Sequence, residues 1–219
     1  MRIRRKKWAR PELDVCPFFV DYAPKMRGIW SSCYKSKAPL QLDLGCGKGI
    51  FTAGLALSSP QINYLAIDLK SDMLGVARRN IVELFERANT PVDNIILTPW
   101  DIERIESVLS AEDSVERIYI NFCNPWPKAK QHKKRLTHTR QLLKYRTFMK
   151  KGADIVFKTD SRLLYFDTLG YMADAGFEVL EKSEDYFLDH EIIPELMSEH
   201  ELRFVGQNFP IYFIRAIII

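Results

Sequence analysis

The chain has 219 residues, 47% of them hydrophobic and 27% charged, with a formal net charge of +4. That length suits one large α/β domain better than two complete ones, and no apolar run approaches the roughly 20 residues that cross a bilayer, so no membrane span is expected. Cys16, Cys33, Cys46 and Cys123 are scattered, form no CxxC pair and have no His at ligand spacing; this argues against a zinc site or a disulfide framework, and the reading is no metal and reduced thiols in the cytoplasm.

The chain opens with Arg2, Arg4, Arg5, Lys6, Lys7 and Arg10 and no hydrophobic stretch follows, so a secretory signal is not expected. Residues 1–37 read as a basic N-terminal extension and 38–219 as one domain. Pro39 to Leu44 reads as a buried strand ending at a glycine cluster, and Ile50 to Leu57 as a helix stopped by Ser58-Ser59-Pro60. A second strand, Asn63 to Ile67, ends at Asp68. The next helix runs from Ser71-Asp72 to about Ala88, and a third strand, Asn94 to Leu97, precedes Asp101.

Arg117 to Phe122 is the fourth strand, entering the loop Cys123-Asn124-Pro125-Trp126-Pro127-Lys128. A basic helix is expected from about Thr139 to Lys150, a fifth strand over Ala153–Lys158 and another helix over Arg162–Ala175. A last pair of strands starts at Phe177–Leu180 and ends with Phe209–Ile218. Strands alternating with helices in this way predict a doubly covered, mostly parallel sheet. No stretch reads as a subunit interface, so monomer and homodimer both stay open.

The charge is unevenly placed. Residues 1–37 carry ten Lys/Arg against three acids, and residues 128–151 carry ten Lys/Arg and no acid, whereas Asp174 to Glu201 holds ten acids against Lys182 alone. Two dense cationic blocks, with Trp8, Trp126 and His132 interleaved, suggest a polyanion footprint rather than two solvated faces, because each cation near a phosphate releases a counterion. Charge alone does not say which nucleic acid.

Asp43-Leu44-Gly45-Cys46-Gly47-Lys48-Gly49 joins the first strand to the first helix. Its glycines, Gly45, Gly47 and Gly49, allow a tight turn and close approach of a ligand to the backbone. The spacing GxGxG is one residue shorter than the dinucleotide fingerprint and, after an acidic residue, resembles motif I of class I methyltransferases. That resemblance implies S-adenosylmethionine (AdoMet), with its amino-acid part beside the glycine loop, and a Rossmann-like fold of seven strands with an antiparallel C-terminal strand. Asp68 is placed to accept the ribose hydroxyls and Asp101 to receive the adenine amino group, both at the carboxyl ends of strands, where open α/β sheets bind ligands.

The stiff, aromatic loop from Asn121 to Lys128 runs straight into His132-Lys133-Lys134-Arg135-Leu136. Here the chain resembles the bacterial, TrmB-like tRNA (guanine-N7-)-methyltransferases, whose loop begins with Asn-Phe, contains DPWPK and is followed by a basic stretch ending in RRL. The opening Met1 to Ala9 and Lys158-Thr159-Asp160 match as well, and the likeness spans nearly the whole chain. It implies methyl transfer from AdoMet to N7 of a tRNA guanosine, the variable-loop one at position 46. By the same resemblance Asp43, Asp68, Asp101 and Asn124 lie on the AdoMet side, while Lys128, Asp160 and Ser198-Glu199-His200-Glu201 lie on the substrate side.

Two positions depart from the pattern: Asn124 replaces the family's aspartate, and Ser198 to Glu201 replaces a TEYE-like segment. Guanine N7 has a free lone pair and no proton, so no general base is needed, and Asn124 keeps an acceptor as an orienting catalytic group. A non-catalytic RNA binder that has kept the fold, and a small-molecule methyltransferase with solvated basic faces, are the competing readings.

Overall fold

The computed structural model describes residues 5–204, 207 and 209–219; Met1 to Arg4 of the opening basic run lie outside them. Seven strands form one sheet: β1 (Leu40–Leu44), β2 (Asn63–Asp68), β3 (Ile95–Pro99), β4 (Val115–Asn121), β5 (Met149–Thr159), β6 (Phe177–Ser183) and β7 (Tyr212–Ile218). Their order is β3-β2-β1-β4-β5-β7-β6. The pairings among β1 to β5 are parallel, and β7 runs antiparallel to both β5 and β6. All five residues of β1 are buried, as an apolar strand covered on both faces must be.

Seven helices accompany the sheet among the described residues: α1 (Ala9–Asp14), α2 (Ile50–Ser58), α3 (Ser71–Arg87), α4 (Thr139–Arg146), α5 (Arg162–Asp174), α6 (Tyr186–Asp189) and α7 (Glu199–Phe204). In α3 the buried set Leu74, Ala77, Ile81 and Phe85 recurs every three or four residues, which lays one stripe on the core. The Ser161 hydroxyl accepts from the Leu164 amide and starts α5 just past the end of β5.

Residues 5–37 are folded onto the same core. Leu13, Phe18, Ala23 and Trp30 are buried with the sheet residues, and the Trp30 indole donates to the Val108 carbonyl at 2.7 Å. Phe19 bridges to Leu97, with Val20 N donating to Leu97 O and Leu97 N to Phe18 O. The segment thus covers the edge of β3. Helix α1 crosses α3 where Gly75 has no side chain; a Cβ there would stand 2.4 Å from Cβ of Ala9.

Several boundaries differ from the sequence reading. The basic helix stops at Arg146, not near Lys150, because the buried Phe148 and Met149 turn back into the sheet and Met149 pairs with Val115. Lys150 and Lys151 therefore sit on the exposed start of β5. β3 continues to Pro99, and β7 begins at Tyr212, since Pro210 has no amide to give to a ladder.

Candidate active site

The site is built at the carboxyl ends of β1, β2 and β4. Between β1 and α2 the chain reverses through Gly45, Gly47 and Gly49, with φ of 86°, 55° and 69°, a left-handed series that side chains disfavour. The amides of Gly45 and Cys46 both donate to Ile67 O. Asp68 fixes the loop from β2: Oδ2 accepts from Gly47 N at 3.1 Å and Oδ1 from Lys70 N at 2.9 Å. Burial pushes the Asp68 carboxyl above the usual carboxylate range, opposed by those amides. Asp43 is 2% exposed and accepts from the Thr52 hydroxyl at 2.6 Å. Its burial, partly offset by Thr52 and reinforced by the nearby Asp68, raises its pKa to about 7.

A cleft of about 130 Å³ opens over this loop. Its walls include Asp43, the glycine loop, Met73, Asn121, Phe122, Ser198, Glu199 and His200. The roof is the short helix α7, set by a reciprocal cap: Ser198 Oγ accepts from Glu201 N and Glu201 Oε2 accepts from Ser198 N. Two ion pairs tie it down. Lys48 of the glycine loop meets Glu199 at 2.6 Å. Lys158 of β5 meets Glu201 at 2.7 Å, with both side chains almost wholly buried, and the Lys158 ammonium also lies 3.7 Å over the Tyr186 ring. The His200 ring stacks on Phe122, 5.2 Å between centroids and 11° from parallel.

Not every expected residue reaches this cleft. Asp43, Gly45, Gly47, Gly49, Ser198, Glu199 and His200 line it; Asp68 supports the loop from behind. Asp101 is half-buried beyond β3, where Oδ1 accepts from Glu103 N and caps a 3-10 turn. Glu201 is fully buried and shapes the roof through Lys158 and Ser198. Asn124 is exposed outside the cleft, and its Oδ1 accepts from Trp126 N at 3.1 Å in a turn of the loop itself.

The Asn121–Lys128 loop leaves the sheet beside the glycine loop, because Asp43 of β1 pairs with Tyr119 of β4. Two non-glycine residues in it, Phe122 and Trp126, are left-handed (φ 50° and 41°), the kind of backbone that persists only when surroundings hold it. Arg135 does the holding. Its Nε donates to Pro125 O at 2.8 Å and Nη1 to Asp167 of α5 at 2.6 Å and to Tyr171, and its side chain is fully buried. Arg135 is thus internal, although it reads in the sequence as one more cation of the basic block. Lys128 and Lys130 are exposed, and the Lys134 ammonium lies 5.1 Å from the Trp126 ring. Burial raises the Cys123 thiol pKa to about 12, and Asp160, exposed past β5, adds a smaller upward push.

Sequence reasoning missed Lys48, Arg135 and Lys158, and gave Asn121 no role beyond a place in the loop. Nothing in a single sequence marks Lys48 and Glu199, 151 positions apart, as partners. Among the described residues no group of three His, Cys, Asp or Glu is placed to hold a metal ion, and no helix is long and apolar enough to cross a membrane.

Comparison with known proteins bears on this geometry. A family model described as "Putative methyltransferase" matches residues 37–214. A tRNA (guanine-N(7)-)-methyltransferase from Clostridium beijerinckii is 45% identical over 216 residues, covering 99% of this chain and 98% of its own. The chain belongs to the tRNA (guanine-N7-)-methyltransferase family. A relative of the same name from Clostridium perfringens is 44% identical over 99% of both chains. Among solved structures, the 16S rRNA (adenine(1408)-N(1))-methyltransferase of Catenulisporales acidiphilia, determined with its cosubstrate SAM, superposes with a TM-score of 0.61 over 91% of this chain and 93% of its own at 15% identity. The 16S rRNA methyltransferase KamB gives 0.58 over 82% and 87% at 15% identity. These likenesses establish the fold as that of class I methyltransferases.

Proposed function

We propose that this protein transfers the methyl group of AdoMet to N7 of a guanosine in tRNA, in the cytoplasm, and that the target is the variable-loop guanosine at position 46. The observation that carries the reading is the 45% identity to a tRNA (guanine-N(7)-)-methyltransferase along 99% of the chain, on a fold whose strand tips bring a glycine loop, a carboxylate and an aromatic-cationic loop side by side. The residues suit AdoMet. The glycine loop leaves room for close backbone approach, and Asp68 presents a carboxylate at the end of β2.

When bound, AdoMet supplies an electrophilic methyl on a sulfonium. The chain itself needs no proton acceptor, since the N7 lone pair is free. Its task is to align that lone pair with the methyl and to tolerate a cationic purine. Asp43 in β1, Asp68 at the end of β2 and Asp101 just past β3 make up the cofactor side. On the substrate side, Glu199 and His200 line the cleft, and Lys128 on the loop and Asp160 past β5, both exposed, are assigned to the RNA, with Asp160 supplying negative charge. Asn124 orients the loop through Trp126, and Ser198 and Glu201 set the roof.

The test is to react unmodified tRNA with AdoMet and map the modified base by mass spectrometry. A single 7-methylguanosine in the variable loop is expected. AdoMet binding with no transfer to tRNA would instead mark a non-catalytic binder. Asn124→Ala is expected to slow single-turnover transfer, and an unchanged rate would remove its orienting role.

A further inference from the structure

Asn121 ends β4 inside the cleft. Both polar atoms of its amide, Oδ1 and Nδ2, are buried, and neither has a hydrogen-bond partner among the described residues. Its backbone is fixed: Asn121 is in register with Lys158 of β5, and the following amide, Phe122 N, donates to Lys158 O at 2.9 Å before the chain turns left-handed. Buried polar groups are almost always paired, so a rigidly held amide left open in a cleft calls for a ligand.

The carboxylates around it are already engaged. Asp43 accepts from Thr52, Asp68 from two backbone amides, and Glu199 faces Lys48. The strand order places β4 next to β1, which follows β2 and β3. A nucleoside laid across the tips from Asp101 through Asp68 to the glycine loop therefore brings its far end to Asn121. Three strand spacings of about 4.8 Å make a path of about 14 Å.

We infer that Asn121 binds the α-amino-acid head of AdoMet, its Oδ1 accepting from the ammonium and its Nδ2 donating to the carboxylate. An amide is both donor and acceptor, and a zwitterionic amino acid is the complement of both. The inference rests on the cleft being the AdoMet site.

The test is calorimetric titration of the full chain with AdoMet, S-adenosylhomocysteine and 5′-methylthioadenosine, which lacks the amino-acid head, together with thermal melting of the ligand-free protein. Asn121→Ala is expected to weaken the first two about 10-fold, or about 1.4 kcal/mol, and to leave methylthioadenosine unchanged. Asn121→Leu, similar in size but apolar, is expected to lose the same affinity while melting no lower than wild type, because an unpaired buried amide has been removed. Equal weakening of all three ligands, unchanged AdoMet binding, or a lower melting temperature for the leucine variant with binding intact would each overturn the assignment. Failure of the wild-type chain to bind any of the three would fall on the cleft reading instead.

Discussion

Removing Glu201 tests whether the roof is a separable element. The Lys158 ammonium lies 2.7 Å from the Glu201 carboxylate, with side-chain exposures of 8% and 1%. At an effective dielectric of about 20 that separation corresponds to an attraction of about 6 kcal/mol, most of it offset by desolvation. Taking away one partner leaves the other charge buried alone, which costs about 3–5 kcal/mol, and Glu201→Ala also loses the reciprocal cap with Ser198. That sum is a large part of a typical 5–15 kcal/mol of total stability. The chain has a less costly response, which is to lift α7 and let water reach Lys158. We expect Glu201→Ala to raise hydrogen exchange across 196–204 sharply and lower the global melting temperature only slightly, whereas Lys158→Met with Glu201→Leu restores protection of the segment. A double-mutant cycle read by exchange should give a coupling of at least about 1.5 kcal/mol. A coupling under about 0.5 kcal/mol, or loss of protection spread evenly through β1 to β5, would refute the reasoning.

Further outcomes follow from the same geometry. Asp43, with a folded pKa of about 7 against an ordinary 3.8, binds its proton more tightly when folded. Its contribution is full below about pH 4 and is lost as pH rises through about 7, so the melting temperature of the free protein should fall from pH 5 to 8 relative to an Asp43→Asn variant; parallel profiles would contradict this. Gly75→Ala drives a methyl into Ala9, an overpacking cost of about 1–3 kcal/mol against about 1 kcal/mol of helix gain. A melting drop of about 2–6 °C is expected, recovered by adding Ala9→Gly, and a stabilised variant would mean that α1 does not seat on α3. Within the basic block, Lys128→Ala should make the salt dependence of tRNA binding shallower by nearly one counterion, while Arg135→Met should weaken folding; a shallower slope from both would place Arg135 on the RNA surface.

The sheet was legible because β1, β2 and β5 are apolar runs cut off by Gly, Asp or Ser, and because the glycine loop and its acidic neighbours recur at strand ends. The strand ends therefore also marked Asp43 and Asp68, which the structure sets beside the glycine loop. What stayed hidden depends on partners distant in sequence. Arg135 reads as a surface cation until Pro125, Asp167 and Tyr171 are seen around it. Glu201 reads as a site acid until Lys158, 43 positions away, appears beside it. Asn124 and Asn121 are alike in sequence, yet a left-handed turn at Phe122 sends one out to solvent and leaves the other in the cleft. Residues 5–37 read as an extension because cations dominate them, yet Leu13 from α1, Phe18 and Trp30 fill the core.

The one reversed strand governs how the cleft is covered. β6 finishes at the end of the sheet where the cleft opens, and β7 starts from that same end, so the chain between Ser183 and Tyr212 leaves and returns on one side. The cover is consequently a flap moored at both ends to the rigid sheet. Changes in its length or composition can reshape the cleft mouth while the hydrogen bonds of the sheet beneath stay in place.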